Sequence, residues 1–205
     1  WEGKNNTILI NDVRYSPAGV LAPIQKSDLA FTMHMLYHLS ETGTCAIVEF
    51  PGVLYRGNAE KKIREYLIKN NFVDTVIQLP ANLFFGVGIA TCIIVIKKNK
   101  KDNNILFVDA SGECEKKGDK NKLEDKNQNR IVNAYQERKE EQYFSKLVSN
   151  DEVLANGANL SVSSYVEKED KREVIDIVKL NEEIQTLQSE IFTLNTEIAN
   201  KIASL

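Results

Sequence analysis

The chain has 205 residues, of which 42% are apolar, and its 26 Lys and Arg against 29 Asp and Glu leave a net charge of -3, ordinary values for a soluble protein. That length suits one sizeable domain or a domain with an appendage. No apolar run approaches the roughly 20 residues that a bilayer span requires, and WEGKNN lacks a signal-peptide pattern, so a cytoplasmic protein with no membrane partner is expected. Cys45, Cys92 and Cys114 are odd in number and lack metal-like spacing, which points to reduced thiols and not to a disulfide framework. The first residue is Trp1 and not methionine, so the chain reads as a piece of something longer.

Residues 3 to 24 hold Gly3, Asn5, Asn6, Asn11, Pro17, Gly19 and Pro23, a density of breakers that predicts an irregular surface segment. Ser27 is a good helix N-cap, with Asp28 in the first turn. From Leu29 to Leu39 the apolar residues cover more than one face, which predicts a largely buried helix that Gly43 stops. Thr44 to Phe50 reads as a strand closed by Pro51-Gly52. A second helix, capped by Asn58, would bury Ile63, Tyr66 and Leu67 and turn Glu60, Lys61, Lys62, Arg64 and Glu65 to water. Helix and strand in alternation imply a parallel sheet with crossover helices.

The most apolar stretch is 73 to 98, VDTVIQLPANLFFGVGIATCIIVIKK. Two β-branched runs, Val73 to Leu79 and Ile89 to Ile96, flank a loop at Ala81 to Gly88 that carries two aromatics and two glycines. The runs are too close for a crossover and must pair antiparallel as a hairpin. ILFVDA at 105 to 110 offers one more strand. The fold class that results is α/β, with a sheet whose final strands reverse direction.

Between Gly112 and Lys126 five bases face five acids, the composition of a solvated or mobile loop. Residues 127 to 140 read as helical. Residues 141 to 166 have apolar side chains to bury but no readable pattern. In the tail, Ile177, Ile184, Ile191 and Ile198 recur every seven residues with Leu180, Leu187 and Leu194 three places after the first three, a coiled-coil seam of isoleucine at a and leucine at d. The g positions Asp176, Glu183, Glu190 and Glu197 are all acidic, so a partner helix carrying Lys or Arg complements the seam better than a second copy does. The alternative is a seam folded back on its own domain.

Motif chemistry is sparse. His34 and His38 have the i, i+4 spacing of metal ligands, but without a third ligand they read as structural. Gly86-Val87-Gly88 lies between strands and opens no helix, so it reads as a tight turn and not a dinucleotide loop. Asp109 with Ser111 is either a site or a turn cap.

The blocks DVRYSPAGVLAP, KSDLAFTMHML, GVLYRGNAEKKIREYL, the 73 to 98 stretch, ILFVDAS and DEVLANGANLSVSSYV together resemble the C-terminal half of the modification subunit of type I restriction-modification systems. The likeness runs from Trp1 to about Val166. It implies the later part of a Rossmann-like methyltransferase sheet with a reversed last strand over residues 1–166, and a helical heptad tail for subunit docking over 167–205. It also implies transfer of a methyl group from S-adenosylmethionine to N6 of adenine in double-stranded DNA, in a complex with a DNA specificity subunit and a restriction subunit. The glycine-rich cofactor loop and the Asn/Asp-Pro-Pro-Phe/Tyr motif of that family occur nowhere in this chain, so no catalytic residue is expected here, the isolated chain is expected to be inactive, and S-adenosylmethionine is not expected to bind it well. The resemblance makes Phe84 or Phe85 a candidate wall of the pocket for an extruded adenine, with Gly86 and Gly88 letting the backbone pass close by. Val87 stands where the family often has threonine. Two other readings stay open: a fragment of a stand-alone adenine or RNA methyltransferase, and a non-enzymatic assembly module acting through the tail.

Overall fold

A computed structural model of the protein describes residues 1–169 and 176–204, which fall into two compact units, Trp1–Lys168 and Glu169–Leu205. Residues 170–175 and 205, which belong to the tail expected over 167–205, lie outside the described residues. The first unit contains seven strands: β1 (Thr44–Glu49), β2 (Val73–Gln78), β3 (Cys92–Lys97), β4 (Asn104–Asp109), β5 (Glu115–Lys117), β6 (Lys120–Lys122) and β7 (Ser145–Ser149). Its helices are α1 (Thr7–Ile10), α2 (Asp28–His38), α3 (Asn58–Lys69), α4 (Asp125–Glu137) and α5 (Asn150–Ala155); α6 (Ile177–Ala203) belongs to the second unit.

Five strands form one mixed sheet in the order β1-β3-β2-β4-β7. The predicted hairpin is present, with Val76 of β2 opposite Ile94 of β3 and Gln78 opposite Cys92. β3 also pairs antiparallel with β1, from Thr44–Lys97 to Glu49–Cys92. β1 and β2 therefore run in the same direction across the α3 crossover, as expected, with β3 lying between them. The α3 crossover leaves a gap one strand wide, and CIIVIK, apolar on both faces, fills it. Only β2 and β4 are parallel neighbours among the described residues. β7 pairs antiparallel with β4 at the far edge, so the segment 141–166, unreadable from its pattern, supplies the last strand.

On one face of the sheet, Leu29, Met33 and Leu36 of α2, Ile63, Leu67 and Ile68 of α3 and Val153 of α5 pack over Val76, Ile94, Ile96 and Phe107. On the other, Ile131 of α4 and Phe144 cover Ile77, Leu106 and Val108. α2 is not largely buried as its composition predicts: Phe31, Met35 and Tyr37 stand exposed. Ser27 precedes α2 without a capping side-chain hydrogen bond, and Asn58 is the first residue of α3, with Gly57 at the cap position.

Two residues of α3 expected in water are buried instead. Glu60 accepts from Arg56, and Arg64 donates from Nε to the Ala158 carbonyl at 2.8 Å and from Nη1 to the Val53 carbonyl at 2.9 Å. A charge leaves water only when donors and acceptors inside replace the solvent, and two loops supply them here. Burial lowers the Arg64 pKa to about 10, so the guanidinium remains charged at neutral pH. It ties the loop after β1 to the turn after α5.

α6 is capped by Asp176, whose Oδ1 accepts from the amides of Val178 and Lys179. One of the four acidic g positions is therefore a cap. The seam residues Ile177, Leu180, Ile184, Leu187, Ile191, Leu194 and Ile198 are all exposed on the helix.

Candidate functional site

β1, β2 and β4 all end at the same edge of the sheet, at Glu49, Gln78 and Asp109, and β3 begins there at Cys92. Ligands of open α/β sheets bind at such carboxyl edges, because the loops leaving the strands converge there. The connection between β2 and β3 leaves and returns at this edge as a loop, with neither helix nor strand between Gln78 and Cys92.

Its neck is closed by Thr91, whose carbonyl accepts from the Leu79 amide at 2.9 Å and from Gln78 Nε2 at 3.0 Å. Its tip is a turn in which the Val87 amide donates to the Phe84 carbonyl at 3.2 Å. Gly86 occupies the third position of that turn at φ +73°, a conformation that a β-carbon resists and glycine adopts freely. Phe85, at the second position, is 100% exposed and Phe84 is 42% exposed. Neither is a core residue at a strand end. Gly88 has ordinary φ, and a β-carbon there would meet only Asn82 Oδ1 at van der Waals distance.

A second element holds the loop in place. Residues 112 to 126 contain an antiparallel hairpin, β5 and β6, around Gly118-Asp119, where charge balance predicts only a solvated or mobile loop. From this hairpin Asn121 Nδ2 donates to the Ala81 carbonyl at 2.8 Å, the Asn121 amide to the Asn82 carbonyl at 3.1 Å, and Lys120 Nζ to the Phe84 carbonyl at 3.3 Å. Lys116, Lys117, Lys122 and Lys126 are exposed, while Asn121 and Lys120 strap the loop. The missed signal was Gly-Asp flanked by short polar runs, a two-residue hairpin turn.

Glu49 sits at the end of β1, 6% exposed, with Thr32 Oγ1 donating to its Oε1 at 3.0 Å. Burial pushes its carboxyl up to about 7, with the Thr32 hydrogen bond opposing the rise and the charge of Asp28 adding to it. Asp109 accepts from the Ser111 amide at 2.9 Å, which makes the pair a turn cap. His34 Nδ1 is 3.2 Å from the Tyr15 hydroxyl and its ring stacks on Tyr15, with His38 edge-on at 4.6 Å. Among the described residues, no group of three or more His, Cys, Asp or Glu could hold a metal ion, and no helix is long and apolar enough to cross a membrane. The three cysteines are free thiols.

Residues 1–174 match the family model described as N-6 DNA methylase. The chain belongs to that family. Among relatives of this N-6 DNA methylase chain, the type I restriction enzyme MpnII methylase subunit of Mycoplasma pneumoniae is 44% identical over all of it and 38% of that protein. The MjaVII methylase subunit of Methanocaldococcus jannaschii is 34% identical over 83% of the chain and 30% of that protein. In three dimensions the chain is similar to the type I restriction-modification methyltransferase subunit of Streptococcus thermophilus, with a TM-score of 0.78 and 42% identity over 80% of this chain and 36% of that one. A structure of a type I restriction-modification assembly aligns with 98% of this chain and 43% of its own at a TM-score of 0.61 and 17% identity, a likeness of fold alone. The N-6 DNA methylase chain thus spans 30–38% of the relatives with 34% identity or more.

Proposed function

We propose that this chain is the C-terminal part of a type I DNA methyltransferase subunit and that, within the whole subunit, its β2–β3 loop walls the pocket for the adenine whose N6 is methylated. The carrying observation is Phe85, fully exposed on a turn that the β5–β6 hairpin pins at the carboxyl edge. An apolar ring held open to solvent costs free energy unless something covers it, and an extruded base that has lost its stacking partners is a suitable cover. Phe84, Gly86 and Gly88 belong to the same wall. Sequence resemblance and the relatives named as methylase subunits support the reading.

S-adenosylmethionine is the methyl donor that the family implies for the full enzyme. The residues of this chain do not fit it on their own. The sulfonium is cationic, whereas the cavity of about 760 Å³ in this chain is lined by Lys4, Lys26 and Arg56, with its one acid, Glu60, already paired to Arg56. Gly86 opens no helix and so forms no cofactor cradle. The isolated chain is therefore inactive in this reading, and the cofactor is held elsewhere in the subunit. The outer edge of β1 pairs with no strand among the described residues, and Val48 is exposed beside it. An unpaired apolar edge is where further strands of the sheet add.

The α6 seam is the docking surface in this reading. Burying Ile or Leu side chains is worth about 1.5–3 kcal/mol each, and the acidic Glu183, Glu190 and Glu197 select a basic helix, which we assign to the DNA specificity subunit, with the restriction subunit joining the same complex. The test is Phe85→Ala and Phe84→Ala in the full-length subunit, measured on DNA containing adenine opposite an abasic site. Each is expected to weaken binding about tenfold, as lost base stacking does. Unchanged binding and methylation in both variants would remove the base-pocket reading.

A further inference from the structure

The cavity that excludes a sulfonium has the chemistry to hold an anion. It lies between residues 21–26 and the segment 55–60, which leaves the end of β1 after one short turn, on the same edge of the sheet as the β2–β3 loop. Arg56 is placed on its wall by two devices. Buried Glu60 accepts from its Nη1 at 3.3 Å, and Gly52 leaves the space into which the guanidinium packs: a β-carbon on Gly52 would collide with it. One carboxylate occupies one side of the fork, so other guanidinium N–H groups stay available to an acceptor. Lys4 and Lys26 add two cations to the lining, and Tyr55, 59% exposed, adds an aromatic face. Glu60 is the sole acid against three bases in a chain whose net charge is -3.

We propose that this cavity binds a backbone phosphate of the DNA, gripped by Arg56 and Lys26 with Lys4 nearby, while the adjoining nucleotide lies against Tyr55. The inference rests on the reading of the subunit as DNA-binding. It adds a second contact on the carboxyl edge, one that positions the strand and reads no base. Arg56 is suited to this task because a planar fork matches phosphate oxygens in pairs.

The experiment is a salt series of duplex DNA binding by the full-length subunit assembled with its specificity subunit, for the unaltered protein, Gly52→Ala, Lys26→Ala and Phe85→Ala. Gly52→Ala displaces the Arg56 guanidinium and with it a donor to buried Glu60, so a lowered melting temperature is expected and the series is run well below it, while Lys26→Ala leaves that pair in place. Each lost phosphate contact lowers the slope of log affinity against log salt by about 0.9. Gly52→Ala and Lys26→Ala are expected to show that fall, and Phe85→Ala to keep the full slope while losing preference for the extruded adenine. Full slopes in Gly52→Ala and Lys26→Ala overturn the phosphate site, whatever Phe85→Ala does. A normal Phe85→Ala with reduced slopes in the other two rejects the base pocket and keeps the phosphate site. Failure of the unaltered subunit to bind DNA at all overturns both. Stabilisation by inorganic phosphate with no change in any DNA slope means a free-anion site, and also overturns the proposal.

Discussion

Asn121 donates its side-chain amide to the carbonyl of Ala81 at 2.8 Å, across 40 residues of chain, and so holds the exposed Phe84-Phe85 turn against the β5–β6 hairpin. Asn121→Ala removes one neutral hydrogen bond, worth about 1 kcal/mol, while the backbone bond to Asn82 remains. Amide hydrogen exchange over residues 81–88 is expected to accelerate about fivefold with global stability nearly unchanged. Unaltered exchange there would show that the hairpin does not hold the loop.

Arg64 makes a different kind of link, joining Val53 to Ala158 through one buried guanidinium. Arg64→Met is expected to cost about 3 kcal/mol in urea unfolding, since two carbonyls lose a charged donor and Glu60 and Glu65 lose a nearby cation. Arg64→Lys should recover little of it, because one ammonium does not reproduce a rigid fork. Full rescue by lysine would mean that charge alone matters there.

Glu49 predicts a pH dependence. Its folded pKa, about 7, lies above the ordinary 4.5, so the folded state binds the extra proton between those values and stability falls as pH rises through that window. The cost is absent below about 4.5 and complete above about 7, where it reaches roughly 3 kcal/mol. Glu49→Gln, which still accepts from Thr32, is expected to flatten this slope and to be the more stable protein at pH 8. Parallel stability profiles for the two proteins from about pH 5 to 8 would refute the assignment.

Thr91 carries a buried hydroxyl with no hydrogen-bond partner among the described residues. Burying an unsatisfied hydroxyl costs about 1–3 kcal/mol, so Thr91→Val, similar in shape, should stabilise the protein by about 1 kcal/mol in thermal unfolding. A fall in stability would mean that the hydroxyl is satisfied.

For the tail, replacing Glu183, Glu190 and Glu197 together by lysine is expected to abolish pull-down of the specificity subunit by the full-length subunit while leaving α6 helical by circular dichroism. Undiminished capture would reject the docking assignment.

Much of this protein is decided along the chain itself. The four apolar strands, the exposed charges near residue 118 and the heptads of 177–198 follow from local composition and period, although the run read from Ile89 becomes strand only at Cys92, with Ile89 exposed in the loop before it. The glycine turn bearing Phe85 is equally local: Gly86 alone makes a positive φ cheap. Tertiary structure decides the rest. That β3 lies between β1 and β2, that Arg64 leaves water, and that Asn121 reaches Ala81 depend on partners from 11 to 94 residues away. No local pattern records such pairings, since a polar side chain is buried only where distant segments bring it its acceptor or donor.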